Sequence, residues 1–185
     1  MSALRSWLTL KRRTIFSGGP ITELAVETVR LPDGREIDDY YSLQMADYVL
    51  VFAEMRDGRV AMLRQYRHGP RRVCLTFPGG TLDAGETPLE AARRELLEEL
   101  GATADAWHSL GSYVTNANQG CNTAHLFRAT GCEVIQAPDS DDLEETDIVF
   151  LTPETFARQE CVAEIGLTSH VLLMLLALRA KAGAQ

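Results

Sequence analysis

Short apolar runs separated by turn residues dominate the pattern of the chain. Residues 24–31 alternate apolar and polar side chains, and Pro32-Asp33-Gly34 follows them as a turn signal. This pattern predicts a hairpin within two or three strands over residues 14–37. Later runs rich in Val, Leu, Phe and Tyr predict six more strands, over residues 48–53, 59–66, 73–77, 107–114, 123–130 and 147–151.

Two longer segments have the periodicity and end signals of helices. Residues 88–100 follow a capping box, Thr87-Pro88-Leu89-Glu90, and Gly101 is a stop signal. Residues 168–181 form the second helix, and Pro153 opens a short one. Many strands with one central and one C-terminal helix predict an α+β fold, in which a mixed β-sheet is sandwiched between helices.

The helix over residues 88–100 separates apolar and acidic side chains. At about 100° per residue, one stripe faces a core, and Glu95, Glu98 and Glu99 lie as neighbours on the far side. A divalent cation would offset their mutual repulsion, since Mg²⁺ prefers carboxylate and phosphate oxygens. A solvated acidic face is the simpler alternative. The predicted apolar stripe is Leu89, Ala92, Leu96 and Leu100.

The spacing of residues 80–102 favours the metal-binding interpretation. The segment resembles the Nudix box, Gly-x5-Glu-x7-Arg-Glu-U-x-Glu-Glu-x-Gly-U, in which U is a bulky aliphatic residue. Ala102 is smaller than usual at the second U. The positions that agree are Gly80, Glu86, Arg94, Glu95, Glu98, Glu99 and Gly101.

The resemblance implies a Nudix fold and hydrolysis of a pyrophosphate with Mg²⁺ or Mn²⁺. It implies that the metal ligands are Glu95, Glu98, Glu99 and the Gly79 carbonyl, and that Glu98 and Glu99 are also catalytic. The remaining box residues are structural in such enzymes, and the arginine orients the glutamates. Here these structural residues are Gly80, Glu86, Arg94 and Gly101.

Two further segments resemble parts of the ADP-ribose and nucleotide-sugar pyrophosphatases. The first is Arg64-Gln65-Tyr66-Arg67, from which Arg67, with Arg64, is the predicted substrate contact, because a guanidinium binds phosphate oxygens in pairs. The second is the acidic stretch before residue 147. In relatives a loop here supplies a glutamate that serves as general base or metal ligand, and Glu145 is the best match, with Glu144 second.

Two positions depart from the ADP-ribose enzymes. Residues 113–122 contain no proline where those enzymes tend to carry one, and Thr76 stands where many relatives carry glutamate. The departures concern the choice of nucleotide sugar and leave the pyrophosphatase chemistry intact.

The composition of the chain limits the kinds of binding partner and the cellular compartment that we expect. The net charge of −8 argues against a nucleic-acid partner, and the longest apolar run, residues 171–178, is too short for a membrane span. The four cysteines have no C-x-x-C spacing, which disfavours zinc and fits reduced thiols in the cytoplasm. The start of the chain lacks the pattern of a signal peptide.

The chain is predicted to have two parts. Residues 43–185 form the Nudix hydrolase domain, and residues 1–42 resemble the N-terminal strands of the ADP-ribose pyrophosphatase branch, which imply a homodimer. The predicted activity is metal-dependent hydrolysis of a nucleoside diphosphate linked to a sugar, giving a nucleoside monophosphate and a sugar phosphate. The alternatives are hydrolysis of a nucleoside triphosphate, dinucleoside polyphosphate or coenzyme A, and a non-catalytic nucleotide-sugar sensor.

Overall fold

A three-stranded antiparallel sheet forms the N-terminal part of the chain. The computed structural model describes residues 4–139, 145–156 and 158–182. The strands lie in the order β1-β2-β3, and Gly34 donates its N–H to the Leu31 carbonyl at 3.0 Å in the predicted turn. Together with residues 114–123, this sheet belongs to one of two compact units. Its strands are β1 (Leu8–Gly18), β2 (Ile21–Arg30) and β3 (Glu36–Met45).

The second unit, residues 48–113 and 124–185, contains a mixed sheet of seven strands. The main order is β10-β5-β4-β9-β7, with β6 beside β5 and β8 beside β9. Strands β4 and β9 run parallel, whereas β5 is antiparallel to β4, β6 and β10. The strands are β4 (Tyr48–Met55), β5 (Val60–Arg67), β6 (Arg72–Thr76), β7 (Ala102–Thr103), β8 (Ala106–Val114), β9 (Thr123–Val134) and β10 (Thr146–Leu151).

Helices cover both faces of this sheet, as the sequence predicts. One core packs β4, β5 and β9 against α1, and the other packs β4 to β6 against α2, α3 and α4. The predicted α+β sandwich is therefore confirmed. No helix among the described residues is long and apolar enough to cross a membrane. The helices are α1 (Pro88–Leu100), α2 (Pro153–Phe156), α3 (Gln159–Ile165) and α4 (Thr168–Ala182).

Helix α1 has the predicted bounds because its ends are encoded locally. The Thr87 hydroxyl accepts from the Glu90 N–H, and the Glu90 carboxylate accepts from the Thr87 N–H, which completes the capping box. Gly101 ends the helix in the left-handed conformation, with φ of 62°. The predicted apolar stripe is confirmed at its most buried positions, Ala92, Leu96 and Leu100.

Candidate active site

Two of the α1 glutamates are buried. Glu95 is 8% exposed and Glu99 is 7% exposed, so these two carboxylates do not belong to a solvated acidic face, the simpler alternative drawn from the sequence. The reason is the chain at residues 78–80, which lies against them. Gly79 donates its N–H to Oε2 of Glu99 at 2.7 Å, and a Cβ at Gly80 would stand 2.2 Å from Oε1 of Glu95. A side chain at position 80 would therefore displace the Glu95 carboxylate.

The backbone of residues 78–80 is fixed by strand β4. Val51 donates its N–H to the Pro78 carbonyl at 2.8 Å, and Val49 donates to the Gly80 carbonyl at 2.9 Å. These bonds hold the carbonyls on either side of Gly79 and set the backbone at that residue. The predicted carbonyl ligand thus belongs to a rigid segment next to Glu99.

Arg94 joins three carboxylates of the box. Its Nε and Nη2 donate to the two oxygens of Glu86, both at 3.0 Å, and Nη1 donates to Glu95 at 2.8 Å and to Glu98 at 3.0 Å. The hydrogen bonds from Arg94 lower the pKa of Glu86, and the bonds to Glu86 raise the pKa of Arg94 above its usual range. Arg94 therefore stays charged and ties the helix to the loop that carries Glu86.

The donors at this end of α1 suit a hard divalent cation. They are carboxylate and backbone oxygens, which Mg²⁺ and Mn²⁺ prefer. Gly80 leaves the space that the Glu95 carboxylate occupies. Within residues 4–139, 145–156 and 158–182, however, no three carboxylate, imidazole or thiol side chains converge as a preformed metal cluster. The donor chemistry fits a metal site whose glutamates are held in place by Arg94 and by the Gly79 N–H.

The two arginines of the Arg64–Arg67 segment lie on opposite faces of the sheet. Leu63 packs in the core that contains α1, whereas Met62 packs in the core that contains α3 and α4. Since side chains alternate along a strand, Arg67 falls on the α1 face and Arg64 on the other. Arg64 donates from Nη2 to Oε2 of Glu164 at 3.0 Å. The structure thus brings Arg67, and not Arg64, to the face that carries the box glutamates.

The predicted loop glutamate lies at the start of β10. Glu145 is exposed and directly precedes Thr146, which pairs with Gln65 of β5. It lines an open groove of about 760 Å³ that also includes Arg64 and Asp147. Glu144, the second candidate, lies outside the described residues.

Three buried polar residues near the site were given no role in it from the sequence, although Gln65 lies in the Arg64–Arg67 segment and Thr76 stands where many relatives carry glutamate. Gln65 is 2% exposed and Thr76 is fully buried, and their side chains are 2.8 Å apart on the α1 face. His170 of α4 accepts the Phe77 N–H through Nδ1 at 3.0 Å, one residue before Pro78. Strand alternation would have placed Gln65 beside Arg67, but no local signal links His170 to a residue far away in the sequence.

Comparison with known proteins agrees with this geometry. The model of the NUDIX domain matches residues 44–170, more than half of the chain. The chain belongs to the Nudix family. This confirms the resemblance drawn from the box residues. The model of the nucleoside diphosphate sugar hydrolase N-terminal domain matches residues 7–43.

Two relatives are similar to this chain over about three quarters of their own length. An ADP-ribose pyrophosphatase of Bacillus subtilis is 32% identical over 145 residues, covering 76% of this chain and 74% of the relative. A protein of Bacillus methanolicus named methanol dehydrogenase activator is 32% identical over 149 residues, covering 78% of this chain and 77% of the relative. A solved structure described as an ADP compounds hydrolase has a TM-score of 0.84 at 18% identity, covers 100% of this chain and 98% of its own, and shows the shared fold.

Proposed function

We propose that this Nudix protein hydrolyses the pyrophosphate bond of a nucleoside diphosphate linked to a sugar, with ADP-ribose as the model substrate. The products are a nucleoside monophosphate and a sugar phosphate. The observation that carries the proposal is the pair of buried carboxylates, Glu95 and Glu99, held against the Gly79-Gly80 backbone. Arg94 and the Gly79 N–H hold these two carboxylates beside a backbone carbonyl, and this set of oxygen donors suits a hard divalent cation and phosphate chemistry.

The proposed mechanism assigns a task to each group. Glu95, Glu98, Glu99 and the Gly79 carbonyl would hold Mg²⁺ or Mn²⁺. When bound, the cation neutralises charge on the diphosphate and acidifies water. Arg67 donates to diphosphate oxygens from the sheet, where a guanidinium is suited to paired contacts.

The proton of the attacking water needs an acceptor. We assign it to Glu145 or to a box glutamate, Glu98 or Glu99, since a carboxylate within reach of that water can serve as general base. Arg94 keeps its contacts to Glu86, Glu95 and Glu98 and so preserves the orientation of the box.

The choice of a nucleotide sugar rests on two matches. Residues 7–43 match the N-terminal domain of nucleoside diphosphate sugar hydrolases. The relatives from Bacillus subtilis and Mycobacterium tuberculosis, each 32% identical over 145 residues, are named ADP-ribose pyrophosphatases. The net charge of −8 also supports a small substrate rather than nucleic acid.

We also propose that the chain forms a homodimer through β1. All eleven residues of this strand are exposed, although it carries large apolar side chains. Leu8 is 57% exposed and Phe16 is 51% exposed. Exposed apolar surface of this kind marks interaction sites. The same proposal divides the chain into an N-terminal part, residues 1–42, and a Nudix hydrolase domain, residues 43–185. It also includes a cytoplasmic location, which the four free thiols support.

A hydrolysis screen with a matched pair of variants tests the activity. ADP-ribose, ADP-glucose, GDP-mannose, NADH and ATP are incubated with Mg²⁺, and products are identified by mass. Glu99→Gln should lower turnover of the best substrate by at least about a hundredfold, since it removes a ligand charge at the reaction centre. Glu90→Gln makes the same chemical change on the same helix and keeps a capping residue, so its turnover should stay normal. Equal turnover in both variants would remove Glu99 from the mechanism.

A further inference from the structure

A buried amide lies beside the arginine that is proposed to contact the diphosphate. Gln65 is 2% exposed and occupies a strand position between Leu63 and Arg67 on the α1 face. An apolar side chain would suit a buried strand position without the cost of removing an amide from water. The presence of glutamine here therefore requires a set of hydrogen-bond partners.

The partners surround both ends of the amide. With the amide oriented so that each contact joins a donor to an acceptor, Gln65 donates its NH₂ to the Thr146 hydroxyl at 3.0 Å. Its carbonyl oxygen accepts from the Thr76 hydroxyl at 2.8 Å, and from Arg67 through Nη2 at 2.5 Å and Nε at 3.1 Å. The amide thus spans β10, β5 and β6, and its oxygen receives one edge of the guanidinium.

This contact fixes Arg67 without neutralising it. A guanidinium has five N–H groups, and the Gln65 oxygen takes two of them on one edge, which leaves three for other acceptors. A carboxylate in the same place would also hold Arg67, but its negative charge would oppose an anionic ligand. A neutral amide gives the orientation and leaves the full positive charge for the ligand.

We propose that Gln65 is a positioning residue that aims the Arg67 guanidinium at the diphosphate, with Thr76 and Thr146 holding the amide. The inference rests on the proposed contact between Arg67 and substrate. It makes the neutral network of Gln65, Thr76 and Thr146 a determinant of substrate affinity rather than of the chemical step.

Two variants of Gln65 separate orientation from charge. Gln65→Met has a similar volume and removes the hydrogen bonds, whereas Gln65→Glu keeps the shape and adds a negative charge. Calorimetry measures the affinity for the α,β-methylene analogue of ADP-ribose with Mg²⁺, and steady-state kinetics measures KM and kcat for ADP-ribose. Each variant should weaken binding and raise KM by about tenfold or more, the worth of one or two hydrogen bonds to a charged group, with kcat changed less than about threefold.

A double-mutant cycle with Arg67→Met decides whether Gln65 acts through Arg67. If it does, Gln65→Met should cause no further loss of affinity once Arg67 is absent, and Gln65→Glu should lose less affinity than it does with Arg67 present. The same loss in both backgrounds would overturn the positioning role. If Arg67→Met alone leaves affinity unchanged, the proposed substrate contact fails, and the inference fails with it, while hydrolysis itself can persist. Thermal unfolding of each variant confirms that the measured protein is folded, and Gln65→Glu keeps the test open if Gln65→Met does not fold.

Discussion

Adding one methyl group at position 80 tests the close contact between the loop and the α1 glutamates. In Gly80→Ala, the new Cβ would stand 2.2 Å from Oε1 of Glu95 and 2.7 Å from its Cδ, whereas ordinary contact begins at 3.4 Å. The carboxylate or the loop must therefore move by about 1.2 Å. A misplacement of about 1 Å at a reaction centre costs on the order of a hundredfold in rate.

The assay compares Gly80→Ala with a substitution that has room for its methyl group. A Cβ at Gly69 would have nothing within 4 Å, and Gly69 lacks the positive φ that favours glycine, so Gly69→Ala is the matched control. We expect kcat/KM for ADP-ribose to fall by about a hundredfold in Gly80→Ala and to stay normal in Gly69→Ala. Titration of Mn²⁺ should show weaker binding only for Gly80→Ala.

The result that refutes this reasoning is specific. If Gly80→Ala binds Mn²⁺ and turns over ADP-ribose as Gly69→Ala does, the Glu95 carboxylate is not held in a required position by the space at Gly80. A loss of activity that accompanies loss of the folded state would instead point to packing, and thermal unfolding of both variants distinguishes the two causes.

Two further predictions concern stability and assembly. Burial, with a smaller effect of the Arg67 charge, lowers the pKa of His170 from 6.5 to about 3, so the unfolded state takes up a proton below pH 6.5 that the folded state excludes, and stability falls as the pH drops from 6.5 toward 3. Between pH 7 and pH 5, the free energy of unfolding measured with urea should fall by about 2 kcal/mol more for the wild type, and for an exposed His108→Asn control, than for His170→Asn. Equal decreases in all three proteins would contradict the lowered pKa of His170. Phe16→Glu on the exposed face of β1 should shift the mass measured by light scattering from dimer to monomer, whereas Lys11→Glu on the same strand should not; a monomeric wild type would end the dimer proposal.

The elements that could be predicted are those whose signals are local. Helix α1 was predictable at both ends, because its capping box and Gly101 lie next to it in the sequence. Strand β1 begins earlier than predicted, since all its residues are exposed and no buried face imposes an alternating pattern. Helix α3 was missed because Arg158 makes no side-chain cap at its start, and β7 has only two residues.

The candidate site also combines residues that local sequence spacing predicts with contacts that it does not predict. The box positions have a fixed spacing within one loop and helix, so they were readable as a set. The contacts that give them their environment join residues far apart in the sequence: Gly79 donates to Glu99, and Phe77 donates to His170. The burial of Glu95 and Glu99 also depends on a segment that strand β4 holds in place. Sequence spacing therefore identifies the chemistry, whereas the fold determines which side chains share a face.

The hydrogen-bond partners of the two arginines on the α1 face differ, and the difference gives the two arginines different roles. Arg94 donates to Glu86, Glu95 and Glu98. Its charge is therefore balanced within the protein, where it orients these carboxylates. Arg67 instead donates to the neutral amide oxygen of Gln65. This contact does not balance its charge, which is left to act on an external anion. A substrate with two phosphates would need both the ordered box carboxylates, to hold a cation, and the positive charge of Arg67. Without a cation, the box carboxylates would repel the negative substrate. A positive charge at Arg67 and a cation held by the box would act together on the same diphosphate, so loss of either should weaken binding more than loss of an exposed arginine.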